Sequence, residues 1–198
     1  MTKASRKVTR EIQRQQQKKS SRNAGIWTIG IISVVGLLAV VLVIWLPSRP
    51  VAVLDGVEVY NNLPRDHSEA PQTYNPIPPV GGVHSATWLN CGIYDQPVKN
   101  ENAVHSLEHG AVWITYRPDL PQASIDKLRS LARGHSHVIV SPYPDLTKPI
   151  FASAWGLQLP LDDANDARLP VFISRYEQGP QTPEPGAVCN GGIGTPLS

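Results

Sequence analysis

The highest density of chemically active side chains in this 198-residue chain lies in His105-Ser-Leu-Glu-His109, which has the spacing H-x-x-E-H. Residues four apart share one face of a helix, so both imidazoles can reach one metal ion there, with Glu108 beside them as a base or an outer partner. On a strand the two rings would stand about 13 Å apart, too far to share an ion. Asn102 as an N-cap and Gly110 as a left-handed end favour a short helix at the motif.

Further donors decide whether this motif binds a metal. His84 lies upstream in the same polar part of the chain, and we predict that His84, His105 and His109 bind one copper or zinc ion, together with Glu108. Imidazole suits both metals, and the preference between them follows the geometry of the site. The only methionine is Met1, which excludes a methionine-rich Cu(I) site. No other cofactor is predicted.

Two other interpretations of the motif remain open. In the first, His105 makes a hydrogen bond inside the core and His109 ends a short helix, whose C-terminus suits an imidazole. In the second, H-x-x-E-H is the inverted zinc-peptidase signature. Those enzymes carry the motif on a long helix within a large scaffold, whereas Gly110 and a strand follow it here at once. We therefore assign no catalytic residues and keep a zinc hydrolase as the remaining enzymatic alternative.

Residues 61–83 form a long polar and proline-rich stretch. A loop of that length inside a compact domain is usually functional or wraps the surface. His67 lies within this stretch, and we expect its replacement to have little effect on metal binding.

The elements that must position these side chains follow from the apolar periodicity. The patterns predict, in chain order, a hairpin over 51–60 that turns at Asp55-Gly56, a helix over 103–109, a strand over 111–116, a helix over 122–133, strands over 137–141 and 150–155, and a helix over 168–177. Strand, helix and strand in succession indicate a βαβ unit. The predicted fold class is α+β, with a single N-terminal transmembrane helix followed by one small, loop-rich, mixed α/β domain that contains the βαβ-like unit.

The apolar run from Ile26 to Leu46 predicts the membrane anchor. It holds 21 residues without a charged side chain, which matches a helix across the hydrocarbon core of a bilayer. Trp27 and Trp45 lie at its ends, where indole rings favour the headgroup level, and Pro47 ends the helix. No small-residue cleavage site follows, so we predict an uncleaved signal anchor.

The distribution of charge predicts the orientation. The first 22 residues carry eight Lys or Arg and one acid, whereas the rest of the chain carries ten Lys or Arg and fifteen acids. Positive flanks stay in the cytoplasm, so we predict a single-pass protein of the cell (inner) membrane that contacts the bilayer through residues 26–46 and binds no nucleic acid. The predicted parts are a basic cytoplasmic tail over 1–24, a transmembrane anchor over 25–47, a linker and hairpin over 48–70, and an extracytoplasmic domain over 71–198.

Cys91 and Cys189 are the only two cysteines, and both lie on the side that we predict to be outside the cytoplasm. An even number of cysteines in an oxidising compartment favours a disulfide between them. The alternatives are a thiolate metal ligand and a redox-active pair, although the C-x-x-C spacing typical of such pairs is missing.

Several segments together resemble a bacterial family of domains of unknown function, number 3105. They are Tyr74-Asn-Pro-Ile-Pro-Pro, Gly82-Val-His-Ser, Cys91-Gly-Ile-Tyr-Asp-Gln-Pro-Val, His105-Ser-Leu-Glu-His-Gly-Ala-Val-Trp, Ser153-Ala-Trp-Gly and Pro183-Glu-Pro-Gly-Ala-Val-Cys189. The resemblance implies an anchored, exported domain of the same layout and by itself implies no activity.

Two non-enzymatic functions from different classes therefore compete. In the first, the domain handles or delivers copper or zinc outside the cytoplasm, with a cuproprotein as a possible partner. In the second, it is an interaction module or an accessory subunit of a membrane complex. In that case the aromatic residues of the motifs form its core or its interface. These residues are Trp88, Tyr94, Trp113 and Trp155.

Overall fold

The computed structural model describes residues 54–197, which form a mixed α/β domain of six strands and three helices. In chain order its elements are β1 (Glu58–Val59), β2 (Gly92–Ile93), α1 (Asn100–Glu108), β3 (Val112–Tyr116), α2 (Gln122–Ala132), β4 (Val138–Pro142), β5 (Ile150–Ala154), β6 (Leu157–Leu161) and α3 (Arg168–Tyr176). The strands form one sheet in the order β1-β6-β5-β3-β4-β2.

The middle of the sheet contains the predicted βαβ unit. Strands β3 and β4 are parallel, with Val112 opposite Val138, and α2 connects them. A connection between parallel strands requires such a crossover. Strand β5 pairs antiparallel with β3 and then turns tightly into β6, so the sheet is mixed. The predicted βαβ unit is thus confirmed.

The two faces of the sheet bury different helices. Alternate residues of a strand point to opposite faces. Val112 and Ile114 pack in a cluster with apolar side chains of α2 and α3, whereas Trp113 packs in a second cluster with Val104 and Leu107 of α1. Helix α1 therefore covers one face of the sheet and the other two helices cover the opposite face.

Helix α1 begins earlier than the sequence indicates. It starts at Asn100, with Lys99 in the N-cap position and no side-chain cap. The prediction of Asn102 as the N-cap is wrong, because Asn102 lies inside the helix and donates its side-chain N–H to the Thr87 carbonyl. The predicted left-handed end is confirmed, since Gly110 has a φ of 93°.

Part of the predicted N-terminal organisation lies outside the described residues, including the transmembrane anchor over 25–47 and the first strand of the hairpin. Within 54–197, no helix is long and apolar enough to span a membrane. The turn at Asp55-Gly56 is present, and the residues after it, β1, pair antiparallel with β6.

Candidate metal centre

Helix α1 carries one polar face over the proline-rich segment. Its apolar residues pack on the sheet, and three titratable side chains of the H-x-x-E-H motif lie together on its other side: His105, Glu108 and His109, all of them buried. The helix that the motif needs for chemistry is therefore present.

A second segment brings two more histidines to this face. His67 and His84 form an isolated parallel bridge, in which Ser68 N–H donates to the His84 carbonyl at 2.7 Å and His84 N–H donates to the Asp66 carbonyl at 3.1 Å. This backbone pairing holds two stretches of irregular chain side by side. The His84 ring is fully buried, whereas 47% of the His67 side chain is exposed.

Four side chains converge closely enough to hold one metal ion. The ligand atoms of His67, His84, His105 and Glu108 all lie within 4.8 Å of one another. Glu108 Oε2 lies 3.0 Å from His84 Nε2 and 3.9 Å from His67 Nε2. Donors around a tetrahedral zinc ion stand about 3.4 Å apart when the bonds are 2.0 to 2.1 Å, so small side-chain movements suffice to close this site.

The hydrogen bonds of the buried rings fix which nitrogen faces the centre. His84 Nδ1 lies 2.7 Å from the Gly82 carbonyl, His105 Nδ1 lies 2.6 Å from the Ser85 carbonyl, and His109 Nδ1 lies 2.7 Å from the Val188 carbonyl. A carbonyl only accepts, so each Nδ1 carries the proton. In the neutral ring, Nε2 then carries no proton and has a free lone pair. Metal-binding histidines are held in this way by hydrogen bonds through their other nitrogen.

Two of these lone pairs face each other. His105 Nε2 lies 2.9 Å from His109 Nε2, and their rings meet edge to face. Two unprotonated nitrogens repel at this distance, so the contact becomes favourable only when a proton or a metal ion lies at one of them. His109 stands outside the group of four donors, and its Nε2 also lies 3.5 Å from Glu184 Oε2.

Burial shifts the pKa values of the inner residues toward their neutral forms. Desolvation lowers the pKa of His84 and of His105 below 6.5, and nearby histidines lower the pKa of both rings further. Desolvation also raises the pKa of Glu108 above 4.5, with the Glu184 carboxylate adding to the effect. His84 and Glu108 are close enough to form an ion pair, and both shifts favour a neutral hydrogen-bonded pair over the charged one.

The structure changes the expected role of His67. Its position in a proline-rich stretch led to the expectation that its replacement has little effect, whereas the bridge to His84 places this ring among the donors. The His67 ring also stacks on the ring of His105 at 5.1 Å. The only sequence signal for this was the length of the stretch itself, since the pairing joins residues 17 positions apart.

A disulfide between Cys91 and Cys189 holds the C-terminal segment over the site. The predicted pairing is present, and neither sulfur remains free to bind a metal as a thiolate. The same segment supplies the Val188 carbonyl to His109, and Glu184 N–H donates to the Glu108 carbonyl at 3.1 Å. The disulfide therefore helps to hold the C-terminal segment in contact with the residues of the histidine cluster.

The aromatic residues of the motifs separate into two groups. Tyr94, Trp113 and Trp155 are buried in the core, and the Trp155 ring also meets the His84 ring edge to face, with a centroid distance of 5.9 Å. Trp88 instead packs on the rings of His105 and His109, with centroid distances of 5.8 and 5.0 Å. Trp88 therefore forms an apolar wall of the site.

The fold and the site define a small mixed α/β domain with a buried His/Glu cluster on its single-helix face. The family model described as "Protein of unknown function (DUF3105)" matches residues 67–191, more than half of the chain, and the chain belongs to this family. The matched region contains the four donors and both cysteines. No curated protein matches the chain, and no solved structure matches it.

Proposed function

We propose that the protein binds one copper or zinc ion through His67, His84, His105 and Glu108, and that it handles this metal as a membrane-anchored extracytoplasmic protein. The observation that carries the proposal is the hydrogen bonding of the two buried ligand rings. His84 and His105 each donate a hydrogen bond from Nδ1 to a backbone carbonyl, which leaves Nε2 unprotonated. Both residues belong to the donor group that contains Glu108.

The donor set selects the class of metal. Three imidazole nitrogens and one carboxylate oxygen suit zinc or copper, whereas calcium and magnesium prefer sites made of oxygen. Four protein donors fill a tetrahedral shell, as in sites that store or hold a metal, whereas catalytic zinc keeps a position for water. The site therefore favours metal handling over hydrolysis.

The hydrolase alternative also conflicts with the position of the motif carboxylate. In that mechanism both motif histidines bind zinc and the glutamate acts on water. Here Glu108 Oε2 lies among the donors, 3.0 Å from His84 Nε2, while His109 lies outside the group of four.

Substitution of histidine by asparagine tests the proposal sharply. Asparagine reproduces the Nδ1 donor of histidine and lacks the Nε2 atom, so His84→Asn and His105→Asn keep the bonds to the Gly82 and Ser85 carbonyls. Competition titration of the full-length protein with Zn²⁺ and Cu²⁺ should show at least a tenfold loss of affinity, since lost metal ligands or their partners typically cost about 10- to 100-fold or more. His135→Asn is the matched control, because His135 lies outside the donor group and also makes its hydrogen bond, to Glu177, through Nδ1.

If both variants bind metal as tightly as the wild type, the rings serve the core and the proposal fails. The interaction-module alternative would then gain support. It is favoured by three exposed apolar side chains on the C-terminal segment, Val188, Ile193 and Leu197, each more than two-fifths accessible.

A further inference from the structure

The donor cluster continues beyond the four residues that converge on one ion. His105 Nε2 belongs to the group of four and also lies 2.9 Å from His109 Nε2. His109 Nε2 in turn lies 3.5 Å from Glu184 Oε2. The result is a row of donors that starts at a buried ligand and ends at a carboxylate whose side chain is 52% exposed.

We propose that His109 and Glu184 form the path through which the metal ion exchanges between the buried site and solvent. This inference rests on the proposed function and assigns a route to it. Glu184 first attracts the ion, His109 binds it next, and His105 is shared between the path and the resident site.

Stepwise ligand exchange explains why such a row is useful. A cation that leaves a buried site without a partner loses its coordination in a medium of low polarity, which is costly. If each new donor lies within about 3 to 4 Å of the last, the ion forms one bond as it breaks another. His109 has the geometry for this step, because the Val188 carbonyl fixes its Nδ1 proton and leaves Nε2 free toward both His105 and Glu184.

Charge distinguishes this end of the cluster from the opposite one. The His67 side is also accessible, and it carries charges of both signs: Arg65 lies two residues before His67, and Glu69, whose pKa His67 helps to lower, lies two residues after it. A cation approaching from that side therefore meets a like charge as well as a carboxylate. On the other side Glu184 presents a carboxylate, whose attraction raises the rate at which cations arrive.

The test measures both directions of exchange in the full-length protein. Zn²⁺ association is followed by stopped flow, and release is followed with a chromophoric chelator in excess. The variants are Glu184→Gln, which keeps the backbone bond to Glu108, and His109→Asn, which keeps the donor to the Val188 carbonyl. Asp162→Asn removes the same charge from a surface carboxylate that pairs with Lys148, and it is the matched control.

A residue that lies only on the exchange path affects the rates of Zn²⁺ association and release, but it does not affect the stability of the metal-free or the metal-bound protein. His109→Asn should therefore lower association and release by the same factor, about tenfold, with Kd unchanged. Glu184→Gln should lower association more than release, because the Glu184 carboxylate also acts on the resident donors His84 and Glu108. The effect of Glu184→Gln on association should shrink at high salt. His67→Ala should behave in the opposite way, with faster release and a higher Kd, because it removes a ligand.

Two results would overturn the path and leave the proposed function standing. Unchanged rates in both variants would mean that the ion passes elsewhere, and a raised Kd in His109→Asn would make His109 a resident ligand. A wild-type protein that binds no Zn²⁺ would overturn the path and the proposed function together, so the two failures are distinguishable.

Discussion

Glu108 and His84 form the closest carboxylate and imidazole pair of the site, and burial decides its charge. Burial raises the pKa of Glu108 and lowers that of His84, so at this 3.0 Å contact it favours the neutral form of each group. A metal ion competes with protons for both side chains, because metal ligands must be deprotonated. At the scale of single residues, protonation and metal binding of this pair therefore oppose each other.

Glu108→Gln separates stability from metal binding. The glutamine amide can donate to His84 Nε2 and carries no charge, so we expect the variant to stabilise the metal-free protein by about 1 kcal/mol at pH 7 while weakening metal binding. Thermal unfolding with and without Zn²⁺ measures both effects. Glu101→Gln, at a buried carboxylate of the same helix that accepts from Gln72 N–H, should leave metal binding intact. Tight metal binding by Glu108→Gln would remove the carboxylate from the ligand set.

The pH dependence follows from the directions of the shifts. Protons compete with the metal for Nε2 and for the carboxylate, so affinity should fall as the pH drops. Because burial raises the pKa of Glu108, protons compete for its carboxylate at a higher pH than they do for an ordinary glutamate. Competition titrations between pH 8 and pH 5 measure this, and an affinity that is constant over that range would contradict the assignment.

The two buried histidines should also lower the stability of the metal-free protein in acid, whereas the raised pKa of Glu108 acts in the opposite direction. The pKa values of His84 and His105 are lowered from 6.5 in the folded state, so the unfolded state takes up protons first as the pH falls below about 6.5. The loss ends below the folded-state pKa values. Denaturant unfolding over the same pH series serves as the check.

At the scale of elements, Gly110 joins the site helix to the central strand. Its φ of 93° is left-handed, and a Cβ there would stand 2.9 Å from Thr182 Oγ1 and 3.0 Å from Gln178 Nε2. Gln178 N–H also donates to the Gly110 carbonyl, which ties this turn to the C-terminal segment. The turn therefore positions α1, β3 and the segment that carries Glu184.

Gly110→Ala should destabilise the protein by about 1 to 2 kcal/mol, because the left-handed conformation and the close contacts both oppose a methyl group. Gly134→Ala is the informative control. Gly134 is also left-handed, with a φ of 83°, but a Cβ there meets nothing within 4 Å, so the difference between the variants isolates the contacts with Thr182 and Gln178. Chemical denaturation gives both values, and equal losses would show that the crowding is unimportant.

The same elements show how much of the fold and site could be predicted from the sequence. Strand β3, helix α2 and the H-x-x-E-H helix depend on local periodicity, and the sequence predicts all three within a few residues. Strand β6 is not among the predicted strands, and its LQLPL sequence contains Pro160, a residue that is unfavourable inside a strand. The place of His67 in the site depends on a pairing with His84 that no local pattern encodes.

At the scale of the whole molecule, the sequence predicts a cytoplasmic N-terminus, a membrane span over residues 26–46 and a domain outside. Protease added to intact spheroplasts should remove the domain while leaving a cytoplasmic control protein whole. A domain that resists digestion until the membrane is broken would reverse the predicted orientation.

X-ray absorption spectroscopy of the full-length protein loaded with Zn²⁺ tests the central claim most directly, because it counts the ligands of the bound ion. The donor group predicts one ion with about three imidazoles and one oxygen at about 2.0 to 2.1 Å, and the histidine signature should diminish in His105→Asn. Sulfur at about 2.3 Å, or no tightly bound ion in the wild type, would contradict the His67, His84, His105 and Glu108 site.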